Sequence, residues 1–125
     1  MFAGRTLIPM LAAADLDRAR AFYADKLDLK PVGDGGGPLR YECGDSAFLV
    51  YPSEFAGTNQ ATAAMWEVDD IDGTVTALKD RGVEFQEFDY EEMTMQNSIL
   101  TSPDGARVAW FFDSERNILG LVQPS

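Results

Sequence analysis

The strongest constraint on what this chain can fold into is that it states one pattern twice. Asp15-Leu16-Asp17 recurs as Asp70-Ile71-Asp72, and the same offset of 55 residues carries Asp25-Lys26 onto Asp80-Arg81 and Met10 onto Met65. A single match would carry little weight. Matches that share one offset and one local context are the signature of a duplicated supersecondary unit.

The context supports this. Residues 6–13 form an apolar run that reads as a strand, and Asp15 is a good N-cap for a helix behind it. In that helix Leu16, Ala19, Phe22, Tyr23 and Leu27 recur at helical spacing, while Asp17, Arg18, Arg20 and Asp25 take the other face. The second copy reads as a strand over 62–68, a cap at Asp69 or Asp70, and a helix with Ile71, Val75 and Leu78 as its apolar stripe, stopped by Gly82. Short strands follow each helix. The first half offers 29–33, 39–43 and 46–51, and the second offers 83–88, 107–112 and 118–123, with Asp113 to Asn117 as the last hairpin turn. Residues 53–61 read as a linker, and 90–104 as an insertion with a short strand at 98–101.

Each half is therefore βαβββ. The expectation is an α+β fold, two tandem βαβββ modules forming curved sheets around a shared cavity. At 125 residues the chain is one domain, 1–125, with module 1 at about 4–52 and module 2 at about 62–123.

Composition narrows the chemistry. Ten Lys plus Arg against 21 Asp plus Glu give a net charge of −11, which disfavours nucleic acid and anionic membrane as partners. There is no histidine, which removes the Ser-His-Asp triad and every His-ligated metal site. Cys43 is the only cysteine, so no intramolecular disulfide forms, and without a histidine to activate it the thiol reads as a small buried hydrophobe. No apolar stretch reaches the length of a membrane span and the first residues do not read as a signal peptide, so a cytoplasmic location is expected. The Gly33 to Gly37 run precedes Pro38 and a strand rather than a helix, which argues for a loose hairpin over a phosphate cradle, and Ser102-Pro103-Asp104-Gly105 is a turn.

Asp-Leu-Asp-Arg-Ala-Arg-Ala-Phe-Tyr at 15–23, Val-Asp-Asp-Ile-Asp at 68–72, Ala-Trp-Phe-Phe-Asp at 109–113 and Asn-Ile-Leu-Gly-Leu-Val-Gln at 117–123 together resemble the vicinal oxygen chelate superfamily of glyoxalases, bleomycin-resistance proteins and extradiol dioxygenases. The resemblance spans nearly the whole chain and is more specific for fold than for activity. It implies a divalent metal held by His or Glu at four positions, which fall here on Ile8, Ala63, Gly120 and, to within one residue, Val50. None of these residues can ligate a metal, so the expectation is a member with no metal and no cofactor.

The residues expected to line the ligand site follow from strand alternation and from the resemblance. Met10 sits on the Ile8 face of the first strand, and Met65 and Glu67 sit on the equivalent face of the second module's first strand. The resemblance points Trp110 at the pocket, and parity adds Phe112 beside it. Parity also puts Arg40, Glu42 and Phe48 on the same face. The two methionines equally suit a filled core, Trp110 a position under the helix, and Arg40 and Glu42 a solvated strand face. The acidic group Glu84, Glu87, Asp89, Glu91 and Glu92 reads as a solvated edge or as a field that attracts cations. The resulting expectation is a protein that binds or sequesters a small apolar or aromatic compound, cationic rather than anionic, as a homodimer. The alternative is a lyase, isomerase or dioxygenase-type enzyme using carboxylates, with Glu42, Glu67 or Tyr41 as acid or base, or an atypical metal site.

Overall fold

Two aspartates start the two helices. In the computed structural model, which describes residues 1–33, 36–87 and 95–125, Asp15 caps α1 (Leu16–Leu27) by accepting the Arg18 N–H at 3.1 Å. Asp70 caps α2 (Ile71–Asp80) by accepting the Gly73 N–H, also at 3.1 Å. Each such cap stabilises its helix by about 1 kcal/mol. Helix α1 ends on Asp28 in the left-handed region, and α2 is followed by Gly82 at φ +85°.

The strands form two sheets. The first has the order β1-β3-β2, from β1 (Met10–Ala13), β2 (Leu39–Cys43) and β3 (Ser46–Pro52), with β1 parallel to β3. The second has the order β4-β8-β7-β6-β5, from β4 (Thr62–Glu67), β5 (Met95–Gln96), β6 (Ile99–Thr101), β7 (Arg107–Phe112) and β8 (Ile118–Gln123), with β4 parallel to β8. Strand, helix and return to a parallel partner thus occur once in each half, which is the repeat expressed as structure.

Three of the expected strands are shorter by several residues than the sequence pattern suggests, and those over 62–68 and 98–101 are each shorter by one. The first starts at Met10 rather than residue 6. Pro9 has no N–H to give a ladder, though its carbonyl accepts the Leu49 N–H at 3.0 Å. The run 29–33 contributes a single bridge, Val32 to Arg40, and 83–88 a single bridge, Phe85 to Phe111; Phe88 lies outside the described residues. Of the acidic group, Glu84 and Glu87 are described and exposed, whereas Asp89, Glu91 and Glu92 lie outside the described residues.

Between the sheets runs one aromatic chain. Ring centroids step from Tyr23 to Tyr41 at 5.1 Å, Tyr41 to Phe48 at 5.1 Å, Phe48 to Trp66 at 5.9 Å, Trp66 to Phe111 at 6.4 Å and Phe111 to Phe85 at 5.5 Å. The path crosses from the first sheet to the second, so the two halves share one core. Contacts of this kind add about 0.5–1.5 kcal/mol each beyond area burial.

Two polar devices lock the halves together. The turn between β7 and β8 buries Asp113, Glu115 and Asn117. Asp113 accepts the Tyr23 hydroxyl at 2.7 Å, and Asn117 donates to the Ala12 carbonyl at 2.9 Å. Glu115 accepts the N–H groups of Ala14 and Asp15 at 2.9 and 3.0 Å and pairs with the Arg18 guanidinium at 2.7 Å. Burial alone would raise the Glu115 pKa, but the Arg18 hydrogen bond, helped by Ser114 and the Asp15 N–H, outweighs it and holds the group down at about 2. At the other ends of the helices Lys26 and Arg81, equivalent in the repeat, exchange bonds: Lys26 donates to the Arg81 carbonyl, and Arg81 donates to the Lys26 carbonyl at 2.9 Å while pairing with Asp28 at 3.0 Å.

Candidate functional site

Alternation divides each strand between a helix-side face and an outward face. Leu11, Ala13, Tyr41, Val50, Ala109, Phe111, Leu119 and Leu121 are buried on the helix side. The outward face carries Met10, Arg40, Glu42, Met65, Glu67, Trp110 and Phe112, so seven of the eight expected ligand-site residues share it. Phe48 does not. Tyr41 pairs with Phe48 and Arg40 with Leu49, so Phe48 packs against Tyr23 and Tyr41 in the core. The hairpin between β2 and β3 matches residues whose numbers add to an odd sum, and parity carried across it therefore changes face. For the same reason Val50 points into the core, and Leu49 takes the outward place beside Met10.

Register builds two equivalent rows across the outward face. In the first sheet Met10, Leu49 and Arg40 stand side by side on β1, β3 and β2. In the second, Met65, Gly120 and Trp110 stand side by side on β4, β8 and β7. Neighbouring strands are about 4.8 Å apart, so Met65 and Trp110 flank a glycine floor roughly 10 Å wide. A Cβ built on Gly120 would lie 2.6 Å from the Met65 Cε, which shows that the methionine side chain lies across the glycine. Trp110 is half-buried, while Met65 is 43% and Met10 51% exposed, so within one chain this face is open to solvent.

The charged groups of the face are accounted for in part. Arg40 and Glu42 are both exposed and approach to 3.9 Å, a pair worth under about 1 kcal/mol. The Arg116 guanidinium covers the Phe112 ring at 3.8 Å from its centroid and reaches Glu84 at 3.4 Å, so that ring is partly occupied by its own hairpin. Tyr41 is fully buried on the helix side, and burial raises its pKa, which makes it a poor acid or base for the open face. Its hydroxyl has no hydrogen-bond partner among the described residues.

The model of the Glyoxalase/Bleomycin resistance protein/Dioxygenase superfamily matches residues 6–110. The chain belongs to this superfamily. No curated protein matches the sequence. Among solved structures the chain resembles lactoylglutathione lyase from Agrobacterium tumefaciens, with a TM-score of 0.73, 18% identity, and 98% of this chain and 96% of that one covered. It resembles the antibiotic binding protein TnmS3 from Streptomyces sp. CB03234, with a TM-score of 0.72, 21% identity, and 100% and 99% covered. It also resembles a mutant of a fosfomycin resistance protein from Listeria monocytogenes, complexed with Mn(II) and 1S,2S-dihydroxypropylphosphonic acid, with a TM-score of 0.73, 15% identity, and 100% and 93% covered. At these identities the likeness is one of fold.

The four metal positions of the superfamily pattern fall on side chains without donor atoms. Ile8 and Ala63 are exposed and apolar, and β4 carries one extra residue at Ala63, since Thr62 pairs with Ile118 and Ala64 with Leu119. Gly120 has no side chain, and Met65 fills the space above it. The fourth place is taken by Leu49 rather than Val50. These residues do not fit a metal ion: the donors are absent, and at Gly120 the room is occupied by a thioether. Among the described residues no group of three or more His, Cys, Asp or Glu side chains is placed to hold one.

A second feature was not anticipated from the sequence. On the helix side, between α1 and α2, lies a cleft of about 690 Å³ whose wall includes Leu27, Cys43, Trp66, Ala77, Leu78 and Phe111. The signal that could have found it is the second tryptophan, Trp66. Its helix-facing parity on β4 sets it opposite Met65, and it is only half-buried although it lies among core residues.

Proposed function

We propose that this member of the superfamily binds and sequesters a compact apolar or aromatic compound, cationic rather than anionic, on the outward sheet face, without a metal. The observation that carries the reading is the row Met65, Gly120, Trp110: an adaptable thioether lies over a glycine, beside a tryptophan, at the place where the superfamily pattern calls for a glutamate ligand. Sulfur and indole surfaces suit planar apolar molecules and cations. The net charge of −11, with Glu67 exposed on the same face, favours a positive guest. The antibiotic binding protein among the structural relatives makes small-molecule binding a function this fold accommodates.

A homodimer belongs to the same reading. Leu7, Ile8, Met10 and Met65 expose apolar surface at 86%, 40%, 51% and 43%, and a second copy covering part of it would turn an open face into a pocket. We place the protein in the cytoplasm, where a lone thiol such as Cys43 stays reduced. The enzymatic alternative needs carboxylates that converge. Glu42 and Glu67 lie on different sheets, both exposed, and neither has a partner poised for acid–base work.

A thermal-shift screen with planar aromatic cations and cationic antibiotics tests the proposal. A true ligand at about 100 times its Kd stabilises by about 2.7 kcal/mol. Trp110→Ala is expected to weaken that ligand by about ten-fold, roughly 1.4 kcal/mol. A screen with no shift, or a shift indifferent to Trp110 and Met65, overturns the reading.

A further inference from the structure

We propose that Met65 is a movable cover over Gly120 and that it limits the guest of the outward face to a single flat ring; this rests on the reading of that face given above. A Cβ built on Gly120 would lie 2.6 Å from the Met65 Cε and 3.4 Å from its Cγ, with the Ala109 carbonyl oxygen next at 3.6 Å. The two carbons that flank the sulfur therefore rest on the glycine, and the sulfur between them arches away from it. The side-chain room over Gly120 is thus filled from the neighbouring strand, by one thioether. In the first sheet the equivalent place is filled by Leu49, which grows from the middle strand itself and cannot clear it.

The other walls of the place are fixed. Gly120 is paired with Met65 of β4 on one side and Trp110 of β7 on the other. Along β8 its neighbours on the same face are Ile118, buried and set opposite Phe112, and Val122, half-buried and set opposite Val108. Each stands two residues away, about 7 Å along an extended strand. A ring centred over Gly120 would lie about one strand spacing, roughly 4.8 Å, from the Trp110 backbone, close to the spacing at which aromatic rings pair. A second fused ring would extend onto β4, where Met65 stands. Met65 is 43% exposed and unbranched, so it can leave the glycine by a change of rotamer. Its sulfur then packs against the edge of the guest, which the indole meets from the other side.

Benzamidine, a one-ring cation, and naphthamidine, its two-ring analogue, are the probes. Fluorescence is read in Trp66→Phe, where it reports on Trp110 alone, and the methionine methyl resonances are read by NMR in the unaltered chain. Benzamidine is expected to quench Trp110 saturably and to shift the Met65 methyl at the same half-saturation concentration, leaving the methyl of Met95 on β5 in place. Met65→Ala should lower the ratio of the naphthamidine to the benzamidine dissociation constant about ten-fold, and Gly120→Ala should weaken benzamidine about ten-fold. Saturable quenching with an unmoved Met65 methyl, or an unchanged ratio in Met65→Ala, overturns the cover and leaves the reading of the outward face standing. Quenching by neither probe overturns the cover and counts against that reading as well.

Discussion

The two halves of this chain use one frame to hold different things. In the first sheet the row Met10, Leu49, Arg40 has a leucine in its middle and an arginine at its end; in the second the corresponding row Met65, Gly120, Trp110 has a glycine covered by the Met65 thioether and an indole at its end. The repeat thus gives two three-strand rows, and in the second a mobile-ended thioether takes the place that a leucine fills in the first. The helices differ in the same way. The start of α1 is held by Glu115 and Arg18 through a buried charged network that reaches across from the other half, whereas the start of α2 is held within its own half, by the Gln123 amide, which accepts the Ile71 N–H at 2.9 Å, and by the exposed Asp72–Arg107 pair at 2.6 Å. The first half therefore depends on the second for its anchoring, and the reverse dependence is weaker.

The largest test of that asymmetry is Asp113→Ala. It strips the partner from the buried Tyr23 hydroxyl and from the N–H groups of Glu115 and Asn117, at 2.7, 2.8 and 2.9 Å, and is expected to cost about 3–4 kcal/mol in urea unfolding. A loss below that of Gln123→Ala would break the comparison.

Acid supplies the next test. Glu115 titrates at about 2 in the folded chain against an ordinary 4.5, so its contribution is complete above about pH 4.5 and is lost as pH falls towards 2. The expected loss is on the order of 2 kcal/mol, discounted because the Arg18 side of the pair is open to solvent. Glu115→Gln should start less stable at neutral pH and show a flatter acid limb; an unchanged limb would contradict the role assigned to the group.

Gln123→Ala should cost about 1 kcal/mol, the value of one neutral hydrogen bond. The smallest effect on stability is expected from Gly120→Ala, within about 1 kcal/mol, because the clashing Met65 Cε is the free end of a flexible side chain. Ligand binding on the outward face should nevertheless fall with it, whereas Leu49→Ala in the equivalent place should leave binding unchanged. Equal losses at the two positions would erase the difference between the rows.

Much of this architecture was legible because the relevant signals are local. Asp15 and Asp70 announce their helices through short-range capping, and the strands Leu39–Cys43, Arg107–Phe112 and Ile118–Gln123 begin and end where turn residues say they do. Phe48 went to the wrong face because parity changes across the β2–β3 hairpin, a fact contained in the two-residue turn at Gly44-Asp45 once Cys43 is paired with Ser46. The network of Asp113, Glu115 and Asn117 read as an ordinary polar turn, since nothing local says that α1 will dock on it from about 100 residues away in sequence. The cleft was invisible for the same reason. Its wall is assembled from both halves, and a void between them has no sequence period.

The central claim is that the places where the superfamily pattern puts metal ligands hold an apolar surface, with Met65 lying over Gly120. Calorimetric titration with Mn(II), Zn(II) and Ni(II), combined with elemental analysis of protein purified without a histidine tag, tests it most directly. The account predicts no stoichiometric metal and no saturable heat from any of the three ions. One tightly held ion per chain, displaced when Met65 or Trp110 is changed, would contradict it.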